Sequence, residues 1–122
     1  MIYVDLWGWF RDFHHAALQN GDTDRIQLVS LYDQAWTYLE TNPQQALSLL
    51  DQGLALANQL DEPCWRLYYE YWRCECFLFY LEDYPAALDL AVRTVVEARK
   101  PEYELCPIKA RVYRVLMDTY AI

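Results

Sequence analysis

Glycine is scarce in this chain, with three among 122 residues, so the backbone has few of its most permissive points for sharp reversal. No stretch alternates apolar and polar side chains between turn residues, the mark of a half-buried strand, and a β architecture is not expected. No apolar run approaches the roughly 18 residues that a membrane span needs, which excludes a membrane-embedded reading. The opening MIYVDLWGWFRD lacks the basic segment of a secretory signal. Cytoplasmic residence, with Cys64, Cys74, Cys76 and Cys106 as reduced thiols, is the resulting expectation. A surplus of positive charge is missing too. Ten Lys and Arg stand against eighteen Asp and Glu, and a net charge of −8 argues against a nucleic-acid binder.

What is abundant is apolar and aromatic. Hydrophobic residues make up 55% of the chain and aromatics 16%, with eleven Tyr and five Trp, ample material for the core of one domain over residues 1–122. The charge is uneven. Residues 1–65 hold nine acids and two bases, residues 66–122 nine acids and eight bases.

The five prolines all fall where a helix should begin or end. In TNPQQALSLL, Asn42 is placed to cap a helix that starts at Pro43. DEPCW and LCPIK repeat the pattern at Pro63 and Pro107. In EDYPAAL, Asp83 caps with Pro85 in the first turn, and Pro101 stops the helix before it. Gly21 ends one helix and Asp22 or Thr23 starts the next. Six helices are predicted, over about 3–19, 24–40, 43–60, 64–82, 84–99 and 106–121.

A shift of 41 residues aligns the chain with itself. Ala46 meets Ala87, and Ala16, Ala57 and Ala98 form one series. Leu31, Trp72 and Tyr113 form a second, Ala35, Cys76 and Met117 a third, and Tyr38, Phe79 and Tyr120 a fourth. Trp72, Cys76 and Phe79, followed by LEDYPAALDLA with Ala87, resemble the tetratricopeptide repeat family in a long-repeat variety, as found in bacterial regulators and signalling proteins. The period exceeds the family's basic length of about 34 residues. The small position holds Cys or Met, and Asp5 is the counterpart of Ala46 in the first helix. The resemblance implies an all-α, TPR-like solenoid of about six antiparallel helices. Its parts would be an N-terminal helix (3–21), repeat 1 (22–62), repeat 2 (63–103) and a partial repeat or cap (104–122).

In that family the first helix of each pair lines a concave groove that binds extended peptides. Carried onto this sequence, the groove phases are those of Tyr32, Trp36, Leu39, Arg73, Phe77, Tyr80, Arg111 and Arg114, with Glu70 and Asp118 beside them. Arginines among rings suit a carboxylate flanked by apolar side chains. The competing reading is that Arg73 and Arg114 are solvated or paired with Glu70 and Asp118. The family's paired Lys and Asn residues for a terminal carboxylate are not matched.

The segment LWGWF raises a separate question. Leu6, Trp9, Phe13 and Ala16 share phase with Leu47, Leu50, Leu54 and Ala57, so that face should pack on the helix 24–40. Tyr3, Trp7 and Phe10, with His14, form a second apolar stripe on what should be the solvent side. It reads as a contact surface for a second copy, another domain or a partner; the alternative is a local fold-back that covers it. The last helix stays apolar at Val112, Val115, Leu116 and Tyr120, which points to a solenoid that continues beyond residue 122.

Catalysis finds little support. No HExxH, P-loop or GxSxG occurs, and Cys74 and Cys76 point to different faces of a helix, so they cannot share a metal. Cys64 and Cys106 start equivalent helices, where buried small residues are the expected role. No cofactor and no metal is expected. The leading reading is a non-enzymatic protein or peptide interaction module. The alternative is a self-associating segment, with a homodimer as the expected assembly, or a regulatory segment of a larger bacterial signalling or transcription-regulating protein, acting through the apolar N-terminal helix.

Overall fold

A computed structural model describes residues 5–120. Six α-helices follow one another: α1 (Leu6–Gln19), α2 (Thr23–Tyr38), α3 (Pro43–Gln59), α4 (Pro63–Glu75), α5 (Tyr84–Ala98) and α6 (Lys109–Tyr120). No strand occurs among the described residues, and the fold is all-α. Each helix packs against the next, and α4 also meets α6.

The helix starts follow from capping. Asp22 accepts a hydrogen bond from the Arg25 amide, Asn42 from that of Gln45 and Asp83 from that of Ala86, each satisfying a donor that the first turn leaves free. Asp5 accepts from the amides of Trp7 and Gly8. Two boundaries differ from expectation. The end of α4 widens into a π-helical turn over Cys76–Tyr80, and α6 begins at Lys109 after a 3-10 turn at Pro101–Tyr103, with Pro107 outside it.

The 41-residue spacing reappears in the packing. Ala46 and Ala87 are fully buried, as are Ala57 and Ala98, so facing helices approach closely there. The buried Tyr69 hydroxyl donates to the Leu28 carbonyl, 41 residues away. Arg25 Nε donates to Glu62 Oε1 at 2.7 Å, and its counterpart Arg66 donates to the Tyr103 hydroxyl at 3.3 Å and to Glu102 Oε2 at 3.0 Å. Gly53 is required by contact. A Cβ there would lie 2.2 Å from the Tyr69 ring.

The N-terminal helix departs from this spacing. Ala16, the counterpart of two fully buried alanines, is exposed, whereas Ala17 is buried. The packed stripe of α1 is Leu6, Phe10, Phe13 and Ala17, with Trp9 beside it. It keeps Leu6, Trp9 and Phe13 of the predicted face and is turned by about half a residue step, with Phe10 and Ala17 added in place of Ala16. Rings explain the rotation. Phe10 packs on Tyr32, Trp65 and Tyr68, while Trp9 and Phe13 pack on Trp65 with centroids 5.3 and 5.2 Å away.

The expectation of four reduced thiols is corrected. Cys64 and Cys106 form a disulfide, joining the start of α4 to the turn before α6. Cys74 and Cys76 are free and buried. Burial pushes both thiols up, Cys74 to about 12 and Cys76 to about 11, so neither is a ready thiolate.

Candidate functional site

Helix α4 presents Tyr71 and Glu75 one turn apart, and the π turn carries Phe79 onto the same side. Phe79 aligns with the aromatic core position of the repeat pattern, yet it is 52% exposed. It lies in the wide turn, where Leu81 N–H closes on the Cys76 carbonyl five residues back. Tyr38 and Tyr120, its counterparts, are exposed as well. Opposite, α6 supplies Arg111, Arg114 and Asp118, and the six side chains line a cavity of about 340 Å³.

Five of the eight arginines pair with carboxylates, the exposed Arg11 with its neighbour Asp12. Arg25 holds Asp22 and Glu62, Arg66 holds Asp61 and Glu102, and Arg73 holds Asp51 at 2.8 Å and Glu70 at 2.8 Å. Arg93 pairs with Asp89. Arg111 and Arg114 form no ion pair among the described residues, although Glu75 and Asp118 line the same cavity. Arg111 instead lies over the Trp7 ring, 5.7 Å from its centroid. Burial raises the Glu75 carboxyl above its ordinary range; Asp118 adds to this, and the Tyr71 hydroxyl and the two arginines oppose it. Burial likewise raises Tyr71, so its hydroxyl stays protonated and available as a donor.

A second cavity, of about 280 Å³, is lined by Trp36, Leu39 and Tyr80 together with Thr37, Glu40 and Thr41. Three predicted groove residues therefore meet in one place. Trp36 is exposed and stands edge-on to Trp72, with centroids 5.0 Å apart.

The remaining predicted residues are elsewhere. Tyr32 is 7% exposed and belongs to the core between Phe10, Tyr68 and Trp72, not to an open groove. Arg73 faces α3 through its pair with Asp51 and does not join Arg114. Phe77 is half-buried against the core. In the N-terminal stripe, Tyr3 lies outside the described residues. Phe10 is half-buried against α2 and α4 rather than turned to solvent, because the aromatic seat attracts it. Trp7 alone keeps the predicted exposure, at 57%.

Sequence reasoning missed Tyr71, Glu75 and Phe79 as cavity residues. Tyr71, Glu75 and Phe79 do recur at a helical spacing of four, but nothing in that spacing tells which neighbour they meet. A larger hollow of about 600 Å³ opens between α3, α4 and α5, lined by Leu54, Leu67, Leu90 and Thr94 among charged residues. Its Arg66, Glu70, Arg93 and Glu97 are already engaged with protein partners. No group of His, Cys, Asp and Glu among the described residues is arranged to hold a metal ion. Compared with protein-family models, with curated proteins and with solved structures, the chain matches none.

Proposed function

We propose that this chain is a non-enzymatic peptide-binding module of the TPR-like solenoid kind, and that the cavity between α4 and α6 takes an acidic side chain flanked by apolar ones. The observation that carries the reading is the pair Arg111 and Arg114, without ion-pair partners among the described residues, beside the exposed Phe79 ring. A guanidinium presents a planar fork of donors to a carboxylate, and the ring takes the neighbouring apolar side chain. The Trp36–Leu39–Tyr80 hollow is the second subsite, for an apolar residue further along the peptide.

The test uses labelled peptides bearing Glu between Leu and Phe, with Gln counterparts, titrated by fluorescence anisotropy. The Glu peptides are expected to bind at least about ten times more tightly than the Gln peptides. Arg111→Glu with Arg114→Glu should abolish capture, while Arg73→Glu leaves the preference for Glu intact. Equal binding of Glu and Gln peptides, or undiminished capture by the double variant, removes this site.

Cytoplasmic residence, the reading from the sequence, stands as a proposal that one structural observation opposes. No helix among the described residues is long and apolar enough to cross a membrane. The Cys64–Cys106 bridge weighs against a reducing compartment, where such bonds are rare. Trapping the thiols by alkylation at the moment of lysis tests it, and a bridge intact in the cell would move the protein to an oxidising compartment.

A further inference from the structure

Among the described residues, the helix α1 is held by its rings, with neither a polar side-chain tie nor a covalent cross-link to the rest of the chain; α6 shares the lack of polar ties, but the disulfide fastens the turn before it. Its ring contacts all run to α2 and α4, through Tyr32, Trp65 and Tyr68, and its one reach to α6 is Trp7 beneath Arg111. Among the described residues, no side-chain hydrogen bond or ion pair ties α1 to α2–α6. Asp5 caps its own helix, and Arg11 pairs with the adjacent Asp12. By contrast, Arg25 and Glu62, Arg73 and Asp51, Arg66 and Glu102, and the disulfide cross-link the rest of the chain. An apolar seat without polar ties can be vacated without stranding a buried charge. Its burial rewards any helix that presents the same stripe.

The connection to α2 favours an exchange. Only Asn20, Gly21 and Asp22 separate the two helices, and three residues span at most about 10 Å. The reversal rests on Gly21 at φ +60, which is exposed, with nothing within 4 Å of a Cβ placed there. The Gly21 and Asp22 amides close the end of α1 on the Leu18 and Ala17 carbonyls. If Gly21 takes a right-handed helical conformation, α1 and α2 become one helix over about residues 6–38, and α1 is carried away from its own seat. The seat is then open, and the helix complementary to it is the α1 of a second copy. The rotation of α1 out of the 41-residue spacing fits this role, since the helix is shaped to the aromatic seat rather than to a place in the repeat.

We propose that α1 is an exchangeable helix, and that two copies of this chain form a reciprocal dimer in which each α1 occupies the aromatic seat of the other. The Trp7 that lies under Arg111 then comes from the second copy, so each cavity between α4 and α6 is bordered by both chains. Leu18, exposed beside the hinge, would sit on the continuous helix near the point where the copies cross.

The test is made on the full chain by light scattering over a concentration series. Gly21→Ala disfavours the left-handed turn and favours a continuous helix, so it should lower the dimer dissociation constant by a factor of about ten or more. A second variant with Asn20→Ala and Gly21→Ala pushes further in the same direction, and one of the two must dimerise while retaining wild-type helicity by circular dichroism. Inserting Gly-Ser-Gly-Ser after Gly21 lets α1 fold back without strain and should hold the chain monomeric at every concentration. Wild-type, helical-hinge and long-hinge chains of one common mass at each concentration would overturn the proposal, because a dimer joined through surface residues is indifferent to the hinge. The readout is mass alone, so its failure is separate from any failure of peptide capture.

Discussion

Glu75 shows how one residue sets the character of the candidate site. Its carboxyl is raised because it is partly buried, and two arginines nearby do not fully offset that cost. A carboxyl whose folded pKa is raised binds its proton more tightly in the folded state than in the unfolded one. Its contribution to stability is therefore present in acid and is lost as pH rises from the ordinary value of 4.5 through the raised one. Asp22 and Glu97 are lowered, chiefly by hydrogen bonds from the Arg25 amide and from Lys100, and contribute with the opposite sign, losing stability as pH falls. We expect Glu75→Gln to raise the Tm at neutral pH by roughly 2–5 °C and to have no such advantage well below pH 4.5. A calorimetric pH series on both proteins checks it; an equal gain at all pH values would mean that the charge at position 75 is not the cause. Little of this was visible in the sequence. Glu75 is one of eighteen acids, and its burial depends on α6, which begins more than thirty residues later.

Among the elements, α6 has the most to lose from chemistry outside its own sequence. It is the last described helix, packed on α5 and on α4, and the disulfide fastens the turn before it to the start of α4 across a separation of 42 residues. Closing a loop of that length removes unfolded-state freedom worth about 4 kcal/mol. Reduction should therefore lower the Tm and loosen α6 before α2 and α3. Hydrogen exchange with and without reductant reads this directly, with faster exchange expected in residues 109–120. Unchanged protection there would show that packing alone holds the helix. The helix ends were legible because caps and prolines act locally: Asn42 with Pro43 and Asp83 with Pro85 mark their starts in the structure as they do in the sequence. The π turn at Cys76–Tyr80 was not, because its wide hydrogen bond depends on how α4 meets its neighbours.

For the whole molecule, the net charge of −8 works against the local chemistry of the proposed site. An acidic peptide approaches a negative protein and is attracted only within the reach of Arg111 and Arg114. Salt screens the long-range repulsion over a Debye length of about 10 Å at 0.1 M and affects the close contact less. Raising the salt from about 0.02 to 0.15 M should therefore speed association of a Glu peptide, by about two- to fivefold in stopped-flow fluorescence. A rate that falls with salt would place capture on a positive field that the composition does not provide.

The all-α class, the number of helices and most of their starts were determined by the sequence itself, because helix period, caps and prolines act within a few residues. The 41-residue spacing also came from the sequence, and it predicted which alanines would be buried in α3 and α5. Tertiary structure decided the rest. It turned α1 by about half a residue step so that Phe10 met Tyr32 and Tyr68, paired Arg73 with Asp51, and left Arg111 and Arg114 to border a cavity with Phe79. Each outcome depends on which side chains of distant segments arrive at the same place. A local pattern can state that a face is apolar or charged, but only the packed chain determines what that face meets.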